Sequence, residues 1–427
     1  MIVRQAVGLH YPCRMNIEQI YREEWGRVLS VVIRLTGSFD VAEEAVQEAF
    51  TAAVEQWARE GMPENPRAWL VSTARHKAID QIRRSRRVEL QDSEQLTRLA
   101  DARPLPEPTL DTDMRDERLS LIFTCCHPAL SQEAQVALTL RTLCGLTTEE
   151  IARAFLVPLP AMAQRLVRTR RKIRDANIPY RVPDGGDLAQ RLDAVMLVIY
   201  LVFNEGYAAS SGDSLVRREL CQEAIHLGQI LSELLPNEPE PRALLALMLL
   251  HDSRRPARVG PRNELITLED QDRAVWNRDQ IREGTSLAES ALILGRPLGR
   301  PGPYALQAAI ASLHAQATDA ASTDWIQIAG LYELLSQIAP SPVVELNRAA
   351  AVAMARGPAE GLRLLDALQA TGELDGYYLL PAARADLLRR AGRREEAAEA
   401  YRAALSLVSS STERQYLEKR LSEVCAQ

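Results

Sequence analysis

Aromatic side chains make up only 5% of the 427 residues, and alternating β-branched runs are nearly absent. With so little strand-forming pattern and abundant Ala, Leu, Arg and Glu, the chain is expected to be all-α. No run of eighteen apolar residues occurs, so no membrane-spanning helix is read. Residues 1–15 lack a charged segment followed by an apolar one, which excludes a secretory signal of the usual pattern. A cytoplasmic protein with no membrane partner is expected. The six cysteines (Cys13, Cys125, Cys126, Cys144, Cys221 and Cys425) form no C-x-x-C pair and read as reduced thiols, with Cys125 and Cys126 as buried, small apolar residues. Cys125-Cys126-His127 has no second ligand pair nearby, so no metal is expected. No positioned nucleophile or glycine-rich phosphate loop stands out either, and neither enzymatic activity nor a cofactor is expected.

What is there is an uneven distribution of charge. The formal net charge is −6, yet residues 63–87 and 153–175 each hold seven Lys or Arg, against two acids in the first stretch and one in the second. Two separated basic helices in an acidic protein are the electrostatic footprint of a polyanion gripped at two places. Between Thr36 and Glu55 there is no basic residue at all. Asp40, Glu43, Glu44, Gln47 and Glu48 lie there on one face of a helix, while Val46, Ala49, Phe50, Ala53 and Trp57 form the inward face.

The length implies two to four domains. Residues 1–15 read as disordered or as a mis-assigned start, because the helical pattern opens at Ile17. Residues 16–87 read as three or four helices, with Asp40 as an N-cap. Residues 88–113, with Pro104, Pro106 and Pro108, read as a flexible linker. Residues 114–178 form a second helical domain. In it Ser131 caps one helix, and Thr147 with Glu150 forms a capping box for the next. Val157-Pro158-Leu159-Pro160 is a turn, and the helix after it carries a buried seam of Met162, Leu166 and Ile173. That is a helix-turn-helix pattern. Residues 179–427 are a further helical region. Asp184-Gly185-Gly186-Asp187 reads either as a turn with Asp187 as a helix cap or as a regulatory latch. Gly206 in Asn204-Glu205-Gly206-Tyr207 reads as a helix end. Gly357 and Gly392 lie thirty-five residues apart in similar segments, which suggests tetratricopeptide-like repeats over about 343–408.

Taken together, Asp40–Phe50, Arg67-Ala68-Trp69-Leu70 to Ile79-Asp80-Gln81-Ile82-Arg83-Arg84, and Thr147–Ala152 through Arg165-Leu166-Val167-Arg168 resemble a bacterial sigma-70-family factor. The resemblance is to the extracytoplasmic-function type, in a class with a C-terminal tetratricopeptide-like extension. It covers roughly residues 16–176. One departure is Leu159-Pro160, where that family commonly has Ser or Thr at the start of the recognition helix.

The resemblance implies a transcription initiation factor that binds core RNA polymerase, at the β′ clamp helices and the β flap, and recognises promoter DNA. Asp40, Glu43, Glu44, Gln47 and Glu48 would hold the polymerase. Asn65, Arg67, Trp69, Arg75, Lys77, Arg83 and Arg84 would take the −10 element, with Trp69 either stacking on a base or joining the core. Asp80 is expected to pair with a neighbouring Arg. Ala161, Gln164, Arg165, Arg168, Arg171 and Lys172 would read the −35 element, and Arg170 and Arg174 would clamp phosphates beside them. Asp184, Gly185, Gly186 and Asp187 would link the DNA-binding half to the extension, which would control activity through a protein or small-molecule partner. The competing reading is a helix-turn-helix regulator with a tetratricopeptide-like sensor, independent of polymerase.

Overall fold

A computed structural model of the chain describes residues 17–88, 110–155, 157–183, 185–207, 218–260, 264–408 and 410–426. The expected segment 1–15, residues 89–109 of the expected linker, and Asp184 lie outside them. The described residues hold nineteen helices and no strand, only an isolated bridge between Val259 and Leu265. The all-α expectation is therefore met. Two compact units divide the chain, residues 1–201 and 202–427.

In the first unit, α1 (Ile17–Thr36) turns Trp25, Val28, Leu29 and Val32 inward. Tyr21 and Trp25 of α1 meet Phe50 of α2 (Phe39–Glu60) as a ring cluster, with centroids 4.9–6.1 Å apart. Gly37, at φ 66°, ends α1. Ser38, not Asp40, caps α2: its side chain accepts from the Val41 amide, and Asp40 lies in the first turn. Its carboxylate still favours the positive end of the helix dipole.

Gly61, at φ 84°, closes α2, and α3 (Pro66–Val88) runs back antiparallel to it. The register is seen in Trp57 against Trp69 at one end and in Glu48 against Lys77 and Gln81 at the other. There follow α4 (Leu110–Cys125), α5 (Gln132–Thr142), α6 (Thr148–Ala154) and α7 (Leu159–Asp175). Cys125 and Cys126 are buried against Thr142 and Thr139, and burial pushes the Cys126 thiol up to about 12. Such thiols are inert. Helix α8 (Gly185–Tyr207) follows, with Gly185 and Gly186 as its first residues and Asp187 in its first turn rather than ahead of it.

The second unit contains α9 (Arg218–Leu234), α10 (Pro239–Asp252), the single turn α11 (Arg255–Arg258), α12 (Arg278–Gly295) and α13 (Pro303–Gln316). These are followed by α14 (Trp325–Ile338), α15 (Pro342–Arg356), α16 (Pro358–Ala370), α17 (Leu379–Arg390), α18 (Arg394–Leu407) and α19 (Ser411–Cys425). Nearly every residue of α10 is buried, because α9, α12 and α13 all pack on it. Gly206 does not end α8. It is the last but one of the helical residues Gly185–Tyr207 rather than a cap, and a Cβ there would stand 2.6 Å from the Cys221 amide nitrogen, so its role is close packing. Gly357 and Gly392, at φ 106° and 75°, separate α15 from α16 and α17 from α18. Ala397, Tyr401 and Ala404 of α18 are buried in the same cluster as Leu362 and Leu365 of α16. Cys425 is exposed.

Candidate nucleic-acid interface

Helix α2 does not present all its acids to solvent. Asp40, Glu44 and Gln47 are exposed and Glu48 is half-buried, but Glu43 is only 7% exposed. Glu43 turns toward α5 and α7, where its two carboxylate oxygens receive Arg141 and Arg170. Arg170 also donates to Asp40 at 2.8 Å, and Arg141 to the Leu146 carbonyl at 3.0 Å. A carboxylate out of water is stable only when paired and hydrogen-bonded, and two guanidiniums meet that need. Burial lowers the pKa of Arg141, while Tyr21, Glu149 and Glu150 favour its charge and Arg170 opposes it.

Asn65 starts α3 by accepting the Ala68 amide at 3.0 Å, which leaves the side chain exposed at the helix N-terminus. Arg67 is engaged inside the fold: Nε and Nη2 donate to the two oxygens of Glu24 at 2.7 and 3.0 Å. Burial alone would raise the Glu24 pKa, but Arg67 and Arg27 outweigh it and hold the carboxyl below its ordinary value. Trp69 is half-buried, edge-on to Trp57 at 5.4 Å. Lys77 pairs with Glu48 at 3.4 Å, and Arg75 is half-buried. Arg83 and Arg84 are exposed. Among the described residues no arginine side chain pairs with the Asp80 carboxylate; Arg84 Nε instead donates to its carbonyl at 3.4 Å.

The capping box ahead of α6 is present. The Thr147 amide donates to Glu150 at 2.8 Å and the Glu150 amide to Thr147 Oγ1 at 3.2 Å. The seam of α7 is buried at Met162, Leu166 and Ile173, joined by Thr169. Seating that seam turns Ala161, Gln164, Arg168, Arg171 and Lys172 to solvent, with Arg165 half-buried. Pro158 stands at the N-cap without a side-chain bond, and Leu159 is 42% exposed. Arg171 shares Asp175 with Arg174 at 3.3 and 3.7 Å, whereas Arg170 faces Asp40 and Glu43 rather than solvent. The solvent face of α7 can thus offer Gln and Arg donors to base edges and further cations to phosphates.

Residues 20–88 match Sigma-70 region 2, and residues 120–173 match Sigma-70, region 4. The chain belongs to the sigma-70 family. This sigma factor is of the extracytoplasmic-function-like type with a C-terminal extension. It resembles the ECF RNA polymerase sigma factor SigE of Mycolicibacterium smegmatis, with 27% identity over 158 residues, 37% of this chain and 60% of that one. An uncharacterized protein of Rhizobium meliloti is 42% identical over 404 residues, 94% of each chain. Residues 191–292 match a family of unknown function, DUF6596. Sigma factors act in transcription initiation by binding core RNA polymerase and promoter DNA, and the role is not enzymatic. No helix among the described residues is long and apolar enough to cross a membrane.

Three residues with evident roles in this unit escaped the sequence reading. Glu24 anchors Arg67, and Arg141 answers Glu43. The Tyr180 hydroxyl lies 3.0 Å from the Ser30 carbonyl and 3.1 Å from that of Glu117. Arg141 is the sole cation in α5, which was a usable signal. Nothing local marks Tyr180, whose partners are 150 and 63 residues away in the chain. Of the latch residues Asp184 to Asp187, Asp187 is exposed on α8.

Proposed function

We propose that this sigma factor directs core RNA polymerase to specific promoters and helps to open the −10 region. In this reading the acidic face of α2 (Asp40, Glu43, Glu44, Gln47 and Glu48) docks on the β′ clamp helices, and the helix-turn-helix half lies on the β flap. The α3 set of Asn65, Arg67, Trp69, Arg75, Lys77, Arg83 and Arg84 takes the −10 element. Ala161, Gln164, Arg165, Arg168, Arg171 and Lys172 take the −35 element. Residues 179–427, with tetratricopeptide-like hairpins over about 343–408, control activity from within the chain, and Asp184 to Asp187 form the latch.

The single observation that carries this reading is the solvent face of α7. Gln164, Arg168, Arg171 and Lys172 are exposed on a helix whose opposite seam is buried and whose preceding helix is capped. A helix so seated is suited to enter a major groove. Arg67 and Trp69 enter the −10 assignment with internal partners already in place, so Arg83 and Arg84 make its first phosphate contacts.

The test is transcription in vitro with core polymerase, comparing the full chain with one ended after Leu201. The cut belongs there because Tyr180 and Arg191 pack within the first unit: Arg191 donates to the Phe123 carbonyl at 2.7 Å. Initiation that requires this protein supports the reading. A change of output on truncation, in either direction, supports control by the extension. DNA binding without polymerase binding would favour an ordinary helix-turn-helix regulator instead.

A further inference from the structure

We propose that the second unit holds a phosphate-binding site, built from Arg254 and Arg258 beside Tyr207, for inorganic phosphate or the phosphate of a small organic ester. The inference concerns residues 202–427 alone and does not depend on the transcriptional reading above.

Three helix ends supply the framework. Helix α8 ends at Tyr207, α10 at Asp252 and α13 at Gln316. Each end leaves carbonyls without helical partners and about half a negative charge. Arg258 answers the first: Nη1 donates to the Tyr207 carbonyl at 2.8 Å, and Cζ lies 3.7 Å from the centre of the Tyr207 ring. Arg273 answers the last, donating to the carbonyls of His314 and Ala317 at 2.8 and 2.7 Å. Asp252, the acid that ends α10, is taken by Arg255 at 2.9 Å and by Gln280 at 2.8 Å.

Arg254 has no such counterpart. Its Nη2 meets only neutral groups, the Tyr207 hydroxyl at 3.1 Å and His251 Nδ1 at 2.9 Å. Among the described residues no carboxylate pairs with Arg254, Arg258 or Arg273. Asp319 acts on Arg273 only from the exposed surface, where it already accepts the Ser322 amide at 2.8 Å and where solvent screens it. Arg254 nonetheless stands among the other cations, since its charge bears on His251, His314 and Arg273 alike. Three guanidiniums set against three helix ends leave a surplus of about one and a half positive charges. A carboxylate would bring one negative charge, whereas a phosphate brings about 1.5 to 2 at pH 7. The phosphate is the better match.

The free donors suit the same ligand. Nε and Nη2 of Arg258 form the side-on edge that can take two oxygens of one phosphate. They, with Nε and Nη1 of Arg254, have no acceptor among the described residues, and none is sealed from solvent. Both side chains are half-buried. Stacking on Tyr207 fixes the plane of one guanidinium, and the Tyr207 hydroxyl holds the other, so little ordering remains when the anion arrives. That hydroxyl accepts from Arg254 and keeps its own proton to donate.

The test is equilibrium dialysis of the full chain against radiolabelled inorganic phosphate at constant ionic strength, with phenyl phosphate as competitor. We expect saturable retention of one phosphate per chain. Arg254→Gln and Arg258→Gln should each weaken it about ten- to a hundredfold, the loss expected of charged hydrogen bonds. Arg282→Gln, exposed on α12 and paired with Asp279, should leave it unchanged. Without phosphate, Arg254→Gln should unfold at the same temperature as the wild type or higher, because it relieves repulsion; adding phosphate should raise the midpoint of the wild type alone. Displacement of the label by phenyl phosphate at or below the concentration of unlabelled phosphate that is needed identifies an ester as the ligand. Displacement by phosphate alone identifies the free ion. Absence of saturable retention overturns the proposal, as does retention that survives both substitutions in chains folded by circular dichroism. A lowered midpoint in Arg254→Gln with retention intact would make the cluster purely structural. Arg254→Gln removes no bond to a carbonyl, so the test stands even where Arg258→Gln, which uncaps α8, fails to fold.

Discussion

Two histidines make the second unit acid-labile in a measurable way. His251 lies edge-on to Tyr207 at 5.4 Å, and Arg254 lies 2.9 Å from its Nδ1. A guanidinium has no acceptor, so that nitrogen must be bare and the ring neutral. Burial, followed by the charges of Arg254, Arg258 and His314, pushes the His251 pKa well below its ordinary value of 6.5. Burial, then Arg254 and Arg273, lowers His314 to about 4. Both folded-state values are depressed, so the unfolded chain takes up protons first as pH falls through 6.5. The stability these groups contribute is complete above that pH and shrinks below it. Between pH 7.5 and 5.5 each should cost about 1.3 kcal/mol, and the pair about 2.7 kcal/mol. Native-state hydrogen exchange of α10 to α14, corrected for intrinsic rates, should therefore lose about a hundredfold in protection. In His314→Gln the same pH step should cost only about tenfold, because one titrating group is gone. Protection unchanged between the two pH values, or an equal loss in wild type and variant, would refute the reasoning.

Other expectations concern packing and DNA contact. Gly206→Ala would push a methyl toward the Cys221 amide at 2.6 Å, and should destabilise the second unit by about 1–3 kcal/mol in denaturant titration. Arg67→Ala leaves buried Glu24 with Arg27 as its remaining arginine, and should cost about 2–4 kcal/mol in the first unit. The Glu24 contribution should be full above its unfolded value near 4.5 and vanish as pH falls through its lowered folded value, which acid titration of Arg67→Ala against wild type would detect. Gln164→Ala should lose about 1–3 kcal/mol of discrimination at one promoter position. Lys172→Ala should instead weaken binding evenly and lower the salt slope by about one, as measured by fluorescence anisotropy at several salt concentrations.

Periodicity and capping chemistry were enough for the local architecture. The seam of α7, the inward face of α2 and the Thr147–Glu150 box follow from side-chain spacing and donor–acceptor reach within one turn, and each is present. Caps with two nearby oxygens were less legible. Ser38 and Asp40 are both competent N-caps, and only the backbone conformation at Ser38, φ −133° and ψ 122°, selects between them. Gly206 shows the same limit, because a glycine serves a helix end and a helix–helix approach equally well.

By itself, then, the sequence determined what depends on neighbours along the chain: an all-helical protein, two basic helices, one acidic helix and a helix-turn-helix. It marked the charges of α2 and α7 without saying which of them meet. Tertiary structure alone decided that Glu43 faces Arg141 and Arg170, that Arg67 belongs to Glu24, and that Tyr180 reaches both Ser30 and Glu117. Charge pairing acts through a few ångströms of space, and partners 98 and 127 positions apart leave no trace in local periodicity.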